Sequence, residues 1–130
     1  MLDKKGNYMT KQALVPVADG SEEIEAVTII DVLRRAGITV TVASVSASKD
    51  LKITAARGIQ IVADCGIQDC AGKTWDLIAL PGGIAGSEIL AKSDVLDQLL
   101  KTQVDASALY GAICAAPAIV LGDKGLLADK

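Results

Sequence analysis

Cys114 is the residue whose type and setting best suit it to chemistry. It lies in Gly111-Ala112-Ile113-Cys114-Ala115-Ala116-Pro117, between an apolar run over 106–113, which reads as a buried strand, and a segment over 115–121 that reads as a helix. A sharp strand-to-helix turn holds its central side chain clear of the backbone, and α/β proteins keep nucleophiles there. Unpaired N–H groups at the start of a helix, together with the helix dipole, favour thiolate over thiol. The plainer alternative is an inert thiol packed as a small hydrophobe.

Two more segments fall where a strand ends. Gly20-Ser21-Glu22-Glu23-Ile24-Glu25 follows the first apolar run, and Pro81-Gly82-Gly83 follows another. Glycines let the backbone approach a ligand or another chain segment closely, although the same residues also suit a simple tight turn. The three glutamates stand in a dipole-favoured first helical turn, so each has a structural reading beside any catalytic one. Cys65 and Cys70 are separated by four residues on an expected loop; this matches no zinc or redox spacing, and both read as spectators. Arg35 and Arg57 read as solvated surface.

The elements that would position these residues alternate. Gln12 to Ala18 is apolar and closes at Asp19-Gly20, which predicts a strand and a turn. Ala26, Ile29, Ile30 and Leu33 then recur with helical period, with Asp19 or Ser21 as the cap and Arg34, Arg35 and Gly37 at the end. Ile38 to Ser44 alternates β-branched residues and predicts a strand parallel to the first through a right-handed crossover. Leu51–Thr54 and Gly58–Ala63 read as a hairpin turning at 55–58. Trp75–Leu80 reads as a strand, Ser93 as the cap of a helix from Asp94 to Val104 with Val95, Leu96, Leu99 and Leu100 inward, and Ala108–Ile113 as the last strand. The class is α/β, with a mainly parallel sheet covered on both faces. Loops at the carboxyl ends of such strands share one crevice, which brings residues near 25, 83 and 114 together.

Composition narrows the functions. The 130 residues are 51% hydrophobic and 22% charged, enough for one domain over residues 12–130, preceded by a polar, aperiodic stretch over 1–11 that reads as a disordered leader or tag remnant. Aromatic residues make up 2%, so base-stacking platforms are missing. A net charge of −3 without a basic stripe argues against nucleic acid. No secretion signal or membrane-spanning run is evident, and three cysteines suit reduced thiols, so the expected compartment is the cytoplasm. Zero histidines removes, within this chain, the Cys-His dyad, the Ser-His-Asp triad and His-based metal sites; no metal or cofactor is expected.

Gly20-Ser21-Glu22-Glu23-Ile24-Glu25-Ala26-Val27, Arg34-Arg35-Ala36-Gly37-Ile38, Leu80-Pro81-Gly82-Gly83 and Ala112-Ile113-Cys114-Ala115-Ala116-Pro117 together resemble the ThiJ/PfpI superfamily, in its branch of bacterial YajL and the human Parkinson-associated deglycase. The resemblance runs from Gln12 to Lys130. It implies a flavodoxin-like (Rossmann-type) sheet, with Cys114 as nucleophile and oxidation-sensitive thiol, Glu25 as the acid hydrogen-bonded to its sulfur, and Gly83 and Ala115 as backbone N–H donors of an oxyanion pocket. A neutral carboxyl beside S⁻ could donate to it, and two N–H groups could hold a thiohemiacetal oxyanion or a sulfinate oxygen. The resemblance also implies a homodimer near the face that bears Arg35 and Arg57.

Relatives in this superfamily continue past the position of Lys130 with a histidine and further strands. The expectation is therefore an N-terminal portion lacking the family's C-terminal strands, with a C-terminal fragment of the same protein as a candidate partner, and marginal or aggregation-prone by itself. The implied function is a cysteine-dependent stress response acting on small reactive carbonyls or glycated side chains, of glyoxalase or deglycase type. The alternative is a redox-sensing chaperone whose cysteine becomes a sulfinate without turnover. A peptidase or amidotransferase fits poorly without histidine, and no residue supports a thiamine-biosynthesis role.

Overall fold

The first apolar run forms strand β1 (Gln12–Val17), and its alternation decides the layers of the molecule. Ala13, Val15 and Val17 face one side, and Leu14 the other, all fully buried. A strand buried on both faces belongs at the centre of a parallel sheet. The computed structural model describes residue 2 and residues 4–128. Met1, Asp3, Asp129 and Lys130 lie outside the described residues, so the leader expected over 1–11 and the end of the domain expected over 12–130 are described only in part. Within that leader, Leu2 and Tyr8 form an isolated antiparallel bridge.

Helix α1 (Glu23–Arg35) returns the chain to strand β2 (Thr39–Ser44), which pairs parallel to β1 from Gln12↔Thr39 through Val17↔Ser44. The expected cap is not the one used. Glu22 stands at the helix start without a side-chain cap, because Ser21 Oγ accepts instead from the Ala18 N–H at 3.0 Å and Asp19 Oδ1 accepts from the Thr54 N–H at 2.8 Å. Both polar side chains are committed to the turn after β1 and to the hairpin beside it. That hairpin, β3 (Lys52–Thr54) and β4 (Gln60–Val62), is antiparallel and separate from the main sheet. The Glu23 carboxylate secures its turn by accepting from the Arg57 N–H at 2.9 and 3.0 Å.

Strand β5 (Cys65–Gly66) has two residues and leads into a 3-10 turn, Ile67–Cys70, so the two cysteines sit on ordered elements and not on a loop. Strand β6 (Leu77–Leu80) pairs parallel to β1 on its other side. Helix α2 (Ile84–Ala91) follows, an element that no sequence signal announces: IAGSEILA has no clear apolar stripe, and its buried face is Gly86, Ser87 and Leu90. Close packing explains it. A β-carbon at Gly86 would stand 2.6 Å from the Ser21 nitrogen, so the helix lies directly against the turn after β1. Helix α3 (Asp94–Asp105) is capped as expected, with Ser93 Oγ accepting from the Leu96 N–H at 3.2 Å.

Strand β7 (Leu109–Ala112) completes the five-stranded parallel sheet in the order β5-β2-β1-β6-β7. It was expected to be buried, but Leu109 is 70% exposed. β7 is the edge strand, paired only with β6 among the described residues, and an edge leaves side chains and one row of polar groups open. Setting aside the two-residue β5, the order β2-β1-β6-β7 is that of a flavodoxin-like fold, with its reversal between β1 and β6. One apolar layer packs α1 and the hairpin against Ala13, Val15 and Val17; the other packs α2, α3 and the segment after Cys114 against Leu14, Ile78 and Leu80.

Candidate functional site

The reversal of strand order falls between β1 and β6, and the turns after these two strands pack directly against each other at their carboxyl ends. Gly82 lies at this junction. Its N–H donates to Glu25 Oε1 at 2.9 Å, and its carbonyl accepts from the Glu22 N–H at 3.1 Å. A β-carbon placed at Gly82 would lie 2.6 Å from Cys114 Cβ, 2.7 Å from Glu25 Oε1 and 2.8 Å from the Ile113 carbonyl oxygen. A single α-carbon thus fills the gap between the cysteine and the glutamate, and residues from β1–α1, β6–α2 and the end of β7 meet around it.

Gly83 extends this packing. Its φ of 89° and ψ of 126° lie where side chains are excluded, and a β-carbon there would collide with the Gly20 carbonyl and stand 2.9 Å from the Glu22 nitrogen. The bend lets α2 start against the turn of residues 20–22 that precedes α1. Among the described residues neither the Gly83 nor the Ala115 N–H donates a hydrogen bond, so both donors are unspent.

Cys114 has a φ of 62°, a left-handed conformation uncommon outside glycine. Such strain at a turn is a frequent mark of a functional side chain. Cys114 is exposed, and its neighbour Ala116 is fully buried, so the turn is anchored below the sulfur. The regular helix expected over 115–121 is replaced by a five-residue wide turn of π type, Pro117–Leu121, and a 3-10 turn, Gly122–Lys124. Pro117 supplies no N–H, and Ala116 bonds back to Ile113 at 3.2 Å, which starts the segment irregularly. The helix start and dipole argued from sequence are therefore reduced to one short, irregular turn.

The glutamates divide the work. Glu25 points its carboxylate to Gly82, whereas Glu23 turns to the hairpin and is only 6% exposed. Burial works to raise the Glu23 pKa, but its own N–H, those of Arg57 and Ile59, and the Arg57 charge outweigh it and hold the carboxyl below its ordinary range. Glu22 makes an ion pair with Arg57 at 3.5 Å, and Arg35 one with Asp31 at 2.9 Å. The sequence reading missed Gly82 as the contact between the two side chains. Its Pro-Gly-Gly setting was the available signal, but which glycine touches them depends on the approach of β7.

Elsewhere, Cys65 and Cys70 face each other at 3.7 Å between sulfurs. Among the described residues no group of three or more His, Cys, Asp or Glu side chains could hold a metal ion, and no helix is long and apolar enough to cross a membrane.

Residues 11–130 match the DJ-1/PfpI family. The chain belongs to that family. It is 49% identical over 121 residues to Protein DJ-1 homolog B of Arabidopsis thaliana, covering 93% of this chain and 27% of that protein. It is 41% identical over 117 residues to the glutathione-independent glyoxalase DJR-1.2 of Caenorhabditis elegans, covering 90% and 60% respectively. The solved structure of oxidized Toxoplasma gondii DJ-1 superposes with a TM-score of 0.88 at 47% identity, covering 91% of this chain and 63% of that one. This DJ-1/PfpI chain thus spans from about a quarter to under two thirds of the length of these relatives.

Proposed function

We propose that this DJ-1/PfpI chain carries the thiol half of a stress-response site that attacks small reactive carbonyls or glycated side chains. The single observation that carries the reading is the contact of Gly82 with both Cys114 and Glu25, beside two unspent N–H groups at Gly83 and Ala115. Cys114 sulfur adds to the aldehyde carbon, and the carbonyl oxygen becomes an oxyanion held by those N–H groups, giving a hemithioacetal once protonated. Glu25 is the positioned carboxyl for that proton. For methylglyoxal, a proton shift between the two carbons followed by addition of water yields lactate and frees the thiol. The relative named as a glyoxalase supports this class of substrate.

In the full-length protein, Cys114→Ala is expected to abolish methylglyoxal turnover, and Glu25→Ala to lower it by about 10²–10⁴-fold. Unchanged rates in both would reject the mechanism. A second reading, a redox-sensing chaperone in which Cys114 is oxidised to a sulfinate without turnover, is favoured by the exposure of that sulfur and by a relative described as oxidized. Mild peroxide followed by mass spectrometry should then place two oxygens on Cys114. A cytoplasmic homodimer completes the proposal.

A further inference from the structure

Cys65 and Cys70 form a thiol pair remote from the proposed chemistry at Cys114. Cys65 is half-buried on the edge strand β5, and Cys70 is fully buried at the end of the 3-10 turn, with the sulfurs 3.7 Å apart. Such a pair is held closer than two free surface thiols would be, because the Ala43↔Cys65 and Ser44↔Gly66 pairing keeps Cys65 beside the sheet and the apolar layer with Ile67 and Trp75 holds Cys70. β5 has only two residues and pairs with only β2 among the described residues, so the Cys65 side can yield. Closing the sulfurs to a bond of about 2.05 Å asks for a local adjustment and no change of fold.

We propose that Cys65 and Cys70 are a peroxide-oxidisable dithiol, in which Cys65 is the attacking sulfur and Cys70 the resolving one. Exposure sets the order. Cys65 sulfur attacks the O–O bond of hydrogen peroxide, forming Cys65 sulfenic acid, and the departing hydroxide leaves as water with the thiol proton. Cys70 sulfur then displaces hydroxide from Cys65, forming the disulfide, and its proton completes a second water. Two thiols and one peroxide give one disulfide and two waters. Burial, then the contact with Cys65, pushes the Cys70 thiol up to about 12, and Lys73 offsets this only in part, which suits Cys70 to the resolving role and not to the first attack. The closed ring is short, so little chain entropy is gained and the bond remains readily reversible.

Both sulfurs lie in one tryptic peptide, residues 58–73, while Cys114 lies in another, residues 102–124. The test treats the folded full chain with a few equivalents of peroxide, blocks free thiols with N-ethylmaleimide, and digests without reductant. The expected result is a 58–73 peptide lighter by two hydrogens and free of maleimide, restored to two alkylatable thiols by dithiothreitol, and formed equally in Cys114→Ser. In Cys70→Ser, Cys65 is expected to stop at a sulfenic acid that dimedone captures. Two maleimides on peptide 58–73 after peroxide, a sulfinate on Cys65 in the unsubstituted chain, or a bond from either cysteine to Cys114 would overturn the proposal.

Discussion

Replacing Gly82 with alanine tests the geometry of the site most directly. To reach ordinary contact at 3.4 Å, Cys114 Cβ would have to retreat from the new methyl by about 0.8 Å and Glu25 Oε1 by about 0.7 Å. The third neighbour, the Ile113 carbonyl oxygen at 2.8 Å, is backbone and cannot swing aside like the end of a side chain. The strain therefore falls on the turn that holds Cys114 at a φ of 62°. Overpacking of this kind costs about 1–3 kcal/mol of stability, and a displacement near 1 Å at reacting groups costs about 10²-fold in rate. The control is Gly111→Ala, on β7 three residues before Cys114, where a β-carbon meets nothing within 4 Å. The assay compares thermal midpoint, iodoacetamide alkylation of Cys114 and, in the full-length protein, methylglyoxal turnover. Gly82→Ala is expected to fall in midpoint, to change its alkylation rate and to lose about 10²-fold in turnover, with Gly111→Ala near the unsubstituted protein. Gly82→Ala indistinguishable from Gly111→Ala in all three would refute the claim that this α-carbon spaces the cysteine from the glutamate.

Two further outcomes concern stability. Because the folded protein holds the Glu23 carboxyl below its ordinary range, Glu23 stabilises the fold at pH values above that range and ceases to do so as pH falls through the lowered folded value. Glu23→Gln should flatten part of the acid limb of the midpoint-versus-pH curve, the rest coming from Asp76 and Asp97, whose pKa values are also lowered; an identical acid limb would show that the hairpin clamp carries no charge-dependent stability. Ser93→Ala removes the acceptor for the Leu96 N–H and is expected to cost about 1 kcal/mol in urea unfolding with an unchanged m-value.

Much of the architecture was legible because it rests on local periodicity. β1 follows from an apolar run closed by Asp19-Gly20, β2 from alternation, α1 from the three-and-four spacing of Ala26 to Leu33, and α3 from Ser93 as a cap. α2 was not legible, since Gly86 fits its close approach to Ser21 and not helical preference, and the helix carries no clear apolar stripe. The cap of α1 was misread for a related reason: Asp19 and Ser21 are good caps in isolation, but the hairpin and the Ala18 N–H claim them.

For the candidate site, the chain by itself supplied the residue types: a cysteine at a strand end, a glutamate in a first helical turn and glycines after β6. Which of these touch depends on strand order, because a parallel sheet sets sequence-distant loops side by side only at its carboxyl edge. The tertiary structure chose Gly82 as the spacer, sent Glu25 to it and Glu23 to the hairpin, and reduced the segment after Cys114 to an irregular turn at Pro117. It also brought Cys65 and Cys70 face to face, which their spacing alone did not reveal. Periodicity is a property of neighbours in sequence, whereas these contacts arise between segments whose separation is set only when the sheet closes.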